Sequence, residues 1–226
     1  MMFKKGSLLR EIPVIVITAL IASLIIKSFL IQFFYIPSGS MENTLQVGDR
    51  IGVNKFGSLI SEIKRGEVVV FRDPDLWLGK VEPETGSKLV TTIKSGLITV
   101  GVIPDPAKQY LIKRVIGVGG DTVICCNKDG KLTVNGEAIS EPYIYPGNSA
   151  SDSNFNVKVP KGFIWVMGDH RAASADSRFH TDDVNQGMVP LNKVVGRAIV
   201  KVWPIKDIGT LPAGKSLKQL PVIKNP

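Results

Sequence analysis

The sequence predicts a mainly β protein, an N-terminal transmembrane helix followed by an antiparallel β-sheet domain. Three observations predict it. Residues 12–26 form an uncharged apolar run behind a basic start that holds Lys4, Lys5 and Arg10. From residue 47 onward the pattern changes to short β-branched runs, several of them alternating with period two and bounded by Gly, Pro, Asn and Asp. At 226 residues the chain is long enough to bury a core and holds one or two domains.

As a helix, the uncharged run covers only about 22 Å, short of a ~30 Å hydrocarbon core. Continuing through Lys27 to Tyr35 gives about 36 Å, with Lys27 reaching towards the outer interface. Pro13 stands near the helix start, where its missing N–H costs little. The flanking Lys4, Lys5 and Arg10 predict a cytoplasmic N-terminus and an extracytoplasmic remainder. A cleavable signal peptide shares the basic start, and Ser38-Gly39-Ser40 fits its small-x-small pattern. Its apolar core is usually about 7–15 residues, however, so the longer run here favours an uncleaved anchor.

The β body begins with the alternating stretch 50–56 and a buried-strand run at 67–72 opened by Gly66. Residues 73–109 form a long insertion in which Leu89, Ile93, Leu97 and Val100 fall near helical spacing. A strand at 110–118 ends on the turn Gly119-Gly120-Asp121, and 122–126 with 132–134 read as a hairpin about Lys128-Asp129-Gly130. Residues 143–161 read as loop, 163–167 as a buried strand, 194–203 as a last strand, and 204–226 as a loose basic tail.

Cys125 and Cys126 are adjacent, which is neither metal-ligand spacing nor a disulfide framework. Neighbouring Cα atoms across a trans peptide lie about 3.8 Å apart, below the usual ~4.4–6.8 Å of a disulfide, so free thiols are expected. The formal charge of +8 comes from dispersed Lys and Arg. With no dense basic run among aromatics, nucleic acid is not an expected partner, whereas anionic membrane lipid is.

Ser40 follows Pro37 and Gly39 just past the apolar segment, where it is either turn chemistry or an exposed nucleophile. A Ser-His-Asp arrangement needs His170 or His180 beside it. The other candidate base is Lys113, set between Ile112 and Arg114 in an apolar strand. Its bland reading is a snorkelling or paired lysine. Burial, however, favours the neutral amine, which can take a proton from a serine. Ser61-Glu62-Ile63-Lys64 matches the S-x-x-K pattern of penicillin-binding enzymes, but no K-T-G follows and the match is read as chance.

Three stretches taken together carry a resemblance: Pro37-Ser38-Gly39-Ser40-Met41 with Thr44-Leu45; Ile112-Lys113-Arg114-Val115-Ile116-Gly117; and Met167-Gly168-Asp169-His170-Arg171 with Ser174-Ala175-Asp176-Ser177-Arg178. In that order, behind an N-terminal anchor, they resemble the bacterial type I signal peptidases, membrane serine proteases with a Ser/Lys dyad. The resemblance implies a barrel-like antiparallel β catalytic domain over residues 36–203, anchored by 1–35 in the cytoplasmic membrane. It implies preprotein signal peptides as substrate and no metal or cofactor. Ser40 would be the nucleophile, Lys113 the general base, and the Ser38 hydroxyl with the Ser40 N–H the oxyanion hole. Ser174 would orient the Lys113 amine, and Asp169, Arg114, Asp176 and Arg178 would support it. Phe34, Ile36, Leu45 and Ile112 would line pockets for small residues at −1 and −3.

The chain departs from the family pattern in places. Asn43, preceded by Glu42, stands where proline is frequent, and Glu67 replaces a frequent aspartate. Leu111 stands where tyrosine is familiar, which puts pocket shape in question. His170 stands where asparagine is common and Ala172-Ala173 replace a polar pair, so weaker hydrogen bonding is expected in that loop. The rival function is a membrane-tethered β module that binds without catalysis, in which Ser40 and Lys113 would be independently mutable.

Overall fold

A computed structural model describes residues 8–29, 31–55, 62–79 and 109–211, with helical side chains described over 11–23. Helix α1 spans Leu8–Phe29, and its described apolar side chains, among them Ile12, Val14, Ile15 and Leu20, are exposed. Among the described residues no helix is long and apolar enough to cross a membrane. The helix does not continue to Tyr35 as expected, because Ile31–Tyr35 forms strand β1. Gln32 and Phe34 turn inward while Ile31, Phe33 and Tyr35 turn out, a period-two division that suits this aromatic-rich stretch better than a helix. The strand pairs antiparallel with β2 (Arg50–Asn54), Tyr35 opposite Arg50.

The remaining strands are β3 (Val68–Arg72), β4 (Tyr110–Val118), β5 (Thr122–Cys125), β6 (Thr133–Val134), β7 (Glu137–Ala138), β8 (Phe155–Lys158), β9 (Phe163–Met167), β10 (Val189–Pro190), β11 (Val194–Trp203) and β12 (Gly209–Thr210). They form two antiparallel sheets. The larger runs β1-β2-β11-β3-β4-β9-β10 with β12 against β11, and the smaller runs β7-β6-β5-β8. The expected two-sheet architecture is present, but among the described residues the barrel does not close: β1 and β10 are the two ends of the larger sheet. Pro190 in β10 has no N–H to offer a further strand, which suits an edge.

β4 is the strand that positions the site. It lies between β3 and β9, and every residue from Leu111 to Gly117 is buried, as expected where both faces of a sheet are covered. Below the turn that carries Ser40, one core cluster gathers Phe34, Ile36, Met41, Leu45, Ile51, Val68, Val70 and Ile112. Met41 and Leu45 are fully buried and fix the turn to the sheet from just beyond Ser40.

Three other expectations change. The stretch read as loop contains β8, which pairs with β5 from Thr122 opposite Lys158 to Cys125 opposite Phe155. The segment read as a loose tail begins with a 3-10 turn, Ile205–Asp207, and β12, whose Thr210 lies opposite Val200; residues 212–226 lie outside the described residues. Cys125 and Cys126 are joined by a disulfide, not free. The helical spacing from Leu89 to Val100 lies outside the described residues.

Candidate active site

Ser40 sits in a 3-10 turn, Gly39–Met41, entered through Ser38 in extended conformation. A first-turn N–H has no acceptor within its own helix, so the Ser40 amide is available to a bound group. The Ser38 hydroxyl makes no capping bond to the turn and the residue is exposed. Lys113 reaches the turn from the middle of β4, where it lies opposite Val69 of β3. Its Nζ is hydrogen-bonded to Ser40 Oγ at 2.7 Å. Both residues are deeply buried, at 4% and 6% exposure, so the bond is shielded from water.

Burial is the main influence on the amine, lowering the Lys113 pKa from 10.5 to about 8 against the opposing pull of the Asp176 and Asp169 charges. At pH 7 about one such amine in ten is neutral, against a few in ten thousand for a free lysine. A lysine that must be neutral to act gives a rate that rises with pH. For this chain, kcat/KM is expected to climb tenfold per pH unit below about pH 8 and level off above it. A profile that flattens near pH 6.5 would instead point to a histidine.

Arg114 follows Lys113, and both side chains end on the segment from Ser40 to Thr44. The Arg114 guanidinium donates to both oxygens of Asp169, at 2.8 and 2.6 Å, and to Gly66 O at 2.8 Å. It also lies over the Tyr143 ring at 4.1 Å. Thr44 Oγ1 donates to Asp169 and accepts from Arg114. This fork-like pair is fully buried, and removing one partner of such a pair typically costs about 3–5 kcal/mol.

Asp176 collects the other support. It accepts from Gly168 N at 2.9 Å, Ser174 Oγ at 2.8 Å, and Arg178 Nε and NH2 at 2.8 and 2.9 Å. The expected bond from Ser174 to the Lys113 amine is replaced by this one to Asp176, whose charge is the larger of the two acting on Lys113. Ser174 therefore bears on the amine through Asp176. Phe34, Ile36, Leu45 and Ile112 lie together in the cluster under the turn, with Phe34 edge-on to Tyr110 at 5.2 Å.

Neither histidine ring hydrogen-bonds Ser40 Oγ among the described residues. His170 Nδ1 pairs with Glu42 Oε2 at 2.9 Å and its ring stacks on Tyr145. His180 stacks on Trp77 at 4.3 Å. The weaker hydrogen bonding expected around His170 is therefore not what the structure has: Glu42 and His170, two of the departures from the pattern, bond to each other.

Sequence reasoning assigned no part to Thr44, Arg171 or Gly168. Thr44 lay within the quoted stretch, but its bond to Asp169 spans 125 positions and has no local signal. Buried Arg171 is held by Glu141 at 2.5 Å and donates to Gly168 O at 3.0 Å. Gly168 matters for the side chain it lacks, since an added Cβ would meet Ser174 and the Ser40 carbonyl.

Known proteins place the chain in a family. Residues 9–203 match the family described as "Signal peptidase, peptidase S26". The chain is 40% identical over 220 residues to a signal peptidase I of Mycobacterium tuberculosis, covering 88% of this chain and 74% of that protein. A probable signal peptidase I of Mycobacterium leprae is 38% identical over 89% of this chain and 78% of its own length. A signal peptidase I of Bacillus licheniformis is 29% identical over 91% and 94%. The chain belongs to the signal peptidase family, peptidase S26, and is a peptidase.

Proposed function

We propose that this peptidase removes N-terminal signal peptides from exported preproteins, after Ala-x-Ala-type sites, at the outer face of the cytoplasmic membrane. The observation that carries the reading is the buried 2.7 Å bond between Lys113 and Ser40. Neutral Lys113 takes the proton as Ser40 Oγ attacks the carbonyl carbon of the −1 residue. The oxyanion that forms accepts from the Ser40 N–H and the Ser38 hydroxyl. The Lys113 ammonium then gives its proton to the leaving amine, releasing the mature protein and an acyl-Ser40. Water, deprotonated by Lys113, attacks that ester and frees the signal peptide.

The substrate binds as an extended strand along residues 35–37 and 111–113. In support, residues 111–113 pair with β3 on one side, while β9 joins β4 only from Arg114 onward. Small side chains at −1 and −3 then point at Phe34, Ile36, Leu45 and Ile112. The N-terminal segment is a single-pass anchor with a cytoplasmic N-terminus. Its supports are the uncharged apolar run at 12–26 and the basic residues before it. Phe33 and Tyr35 on β1, with Trp203, Ile205 and Ile208 at the end of β11 and past it, are exposed apolar groups that suit a lipid surface.

The test is to present the full-length protein, in lipid vesicles, with a preprotein ending its signal in Ala-x-Ala and to sequence the product. A new N-terminus immediately after the −1 alanine is expected. A protein inert on several such preproteins would favour the non-catalytic tethered module. Membranes washed with alkaline carbonate are expected to retain the full chain, and its release would remove the anchor from the account.

A further inference from the structure

We propose that Glu42 and His170 are positioning residues for the nucleophile, a brace that holds the Ser40 turn in its reactive geometry. The inference rests on the reading of Ser40 as nucleophile. The Glu42 N–H donates to Gly39 O at 3.0 Å and closes the 3-10 turn. Its carboxylate then folds back over the same turn, so close that a Cβ on Gly39 would stand 2.9 Å from Glu42 Cδ and Oε1. The other carboxylate oxygen bonds His170 Nδ1 at 2.9 Å. The backbone N–H of His170 donates to Ser40 O at 3.1 Å. The two residues thus grip the turn at the residue before the nucleophile and at the nucleophile's own carbonyl.

The brace is fixed from outside. Tyr145 stacks on the His170 ring at 4.1 Å with the planes 13° apart, and Tyr145 N donates to Asp169 O at 2.9 Å. Asn43, with φ of 83°, turns its amide onto Tyr143 O and Ile144 O, both at 3.1 Å. Three positions of this turn, Ser40, Glu42 and Asn43, are therefore tied to the segments at 143–145 and 168–170. Glu42 and His170 remain partly exposed, at 27% and 18% of their side chains. They lie at the rim of the site, not in the packed core, so removing them leaves no core cavity.

The chemistry this serves is orientation. The Ser40 Oγ must face both Lys113 Nζ and a carbonyl carbon, and the Ser40 N–H must face the oxyanion. Misplacement by about 1 Å at such a site costs up to roughly a hundredfold in rate. Glu42→Ala is expected to lower kcat about tenfold with KM within twofold of wild type, because substrate contacts are untouched while the attack geometry loosens. Glu42→Gln, which still accepts from His170, is expected to restore most of that loss. His170→Ala is expected to match Glu42→Ala, and the double variant to lose no more than the worse single, since the two act as one unit.

The measurement is steady-state cleavage of an Ala-x-Ala preprotein by the full-length protein in vesicles, with thermal melts of each variant. Losses that multiply in the double variant, a kcat that stays at the wild-type value in Glu42→Ala, or a loss confined to KM would each overturn the brace. So would a kcat loss that Glu42→Gln fails to relieve. Should Glu42→Ala melt below the assay temperature, Glu42→Leu, which fills the space but accepts no hydrogen bond, takes its place in the same cycle. Wild-type activity separates the two readings: an inert wild type defeats Ser40 as nucleophile, whereas an active wild type with indifferent Glu42 variants defeats the brace alone.

Discussion

Lys113→Met is expected to lower kcat/KM for an Ala-x-Ala preprotein by at least about a thousandfold while making the protein more stable below pH 8. The two halves come from one observation. Lys113 is 4% exposed, and burial lowers its pKa from 10.5 to about 8. Between those two values the unfolded chain binds the extra proton, so wild-type stability rises with pH across that window and carries the full penalty below it. The difference corresponds to on the order of 3 kcal/mol, which methionine of similar reach does not incur. For a chain of this size that amounts to a melting temperature several degrees higher at pH 6, by about 2–4 °C per kcal/mol. The advantage should fade as pH rises from about 8 to 10.5.

Ser40→Ala is expected to lose as much activity as Lys113→Met, and the double variant no more than either, because nucleophile and base act as a unit. Lys113→Arg should be equally inactive, since a guanidinium stays protonated at any working pH. A loss of activity together with a gain of stability cannot be ascribed to misfolding, which is why methionine is a better probe than alanine. If Lys113→Met keeps activity within tenfold of wild type, the base lies elsewhere and His170 becomes the residue to change.

The sequence singled out Ser40 and Lys113, which the structure joins by a hydrogen bond, because each sits in a distinctive local setting. Ser40 follows Pro37 and Gly39, and Lys113 with Arg114 interrupts a strand that is otherwise largely apolar. β4, β9 and β11 were readable for the same reason: their hydrophobic runs are long and end on turn residues. Their observed bounds, Tyr110–Val118, Phe163–Met167 and Val194–Trp203, match the expected strands. β1 was misread because Ile31–Tyr35 continues the apolar character of the helix before it. Only pairing with Arg50–Asn54 decides that it is a strand. β8 was hidden because Phe155–Lys158 is short and lies among Ser and Asn, and its register with β5 supplies what its own residues do not.

Long-range partnership was the part that local pattern could not reach. Ser174 was expected on Lys113 but bonds Asp176 two residues on, where the carboxylate also holds Gly168 N and Arg178. The bond between Glu42 and His170 joins positions 128 apart. Each residue taken singly looked like a neutral or weakening departure, and only their contact gives them a common role. The Cys125–Cys126 disulfide was missed because adjacent cysteines match no framework spacing.

Gly168→Ala is expected to reduce kcat/KM by about a hundredfold or more and to lower stability by roughly 1–3 kcal/mol. Gly168 follows β9 where three pieces of the site converge. A Cβ added there would lie 2.5 Å from both Ser174 Cβ and the Ser40 carbonyl oxygen. Neither can retreat cheaply. Ser174 is held through its hydroxyl by Asp176, and the Ser40 carbonyl is held by His170 N. Whatever moves disturbs the site: a displaced Ser40 backbone shifts both Oγ and the N–H beside it, and a displaced Ser174 disturbs Asp176, the carboxylate whose charge acts most on the Lys113 amine. Gly209→Ala is the matched control, because a Cβ there meets nothing within 4 Å, and it should leave both activity and melting temperature near wild type. Cleavage kinetics and melts on the pair decide the matter. If Gly168→Ala cleaves at the control's rate, the Ser40 turn tolerates displacement, and the close packing behind it is not what sets its geometry.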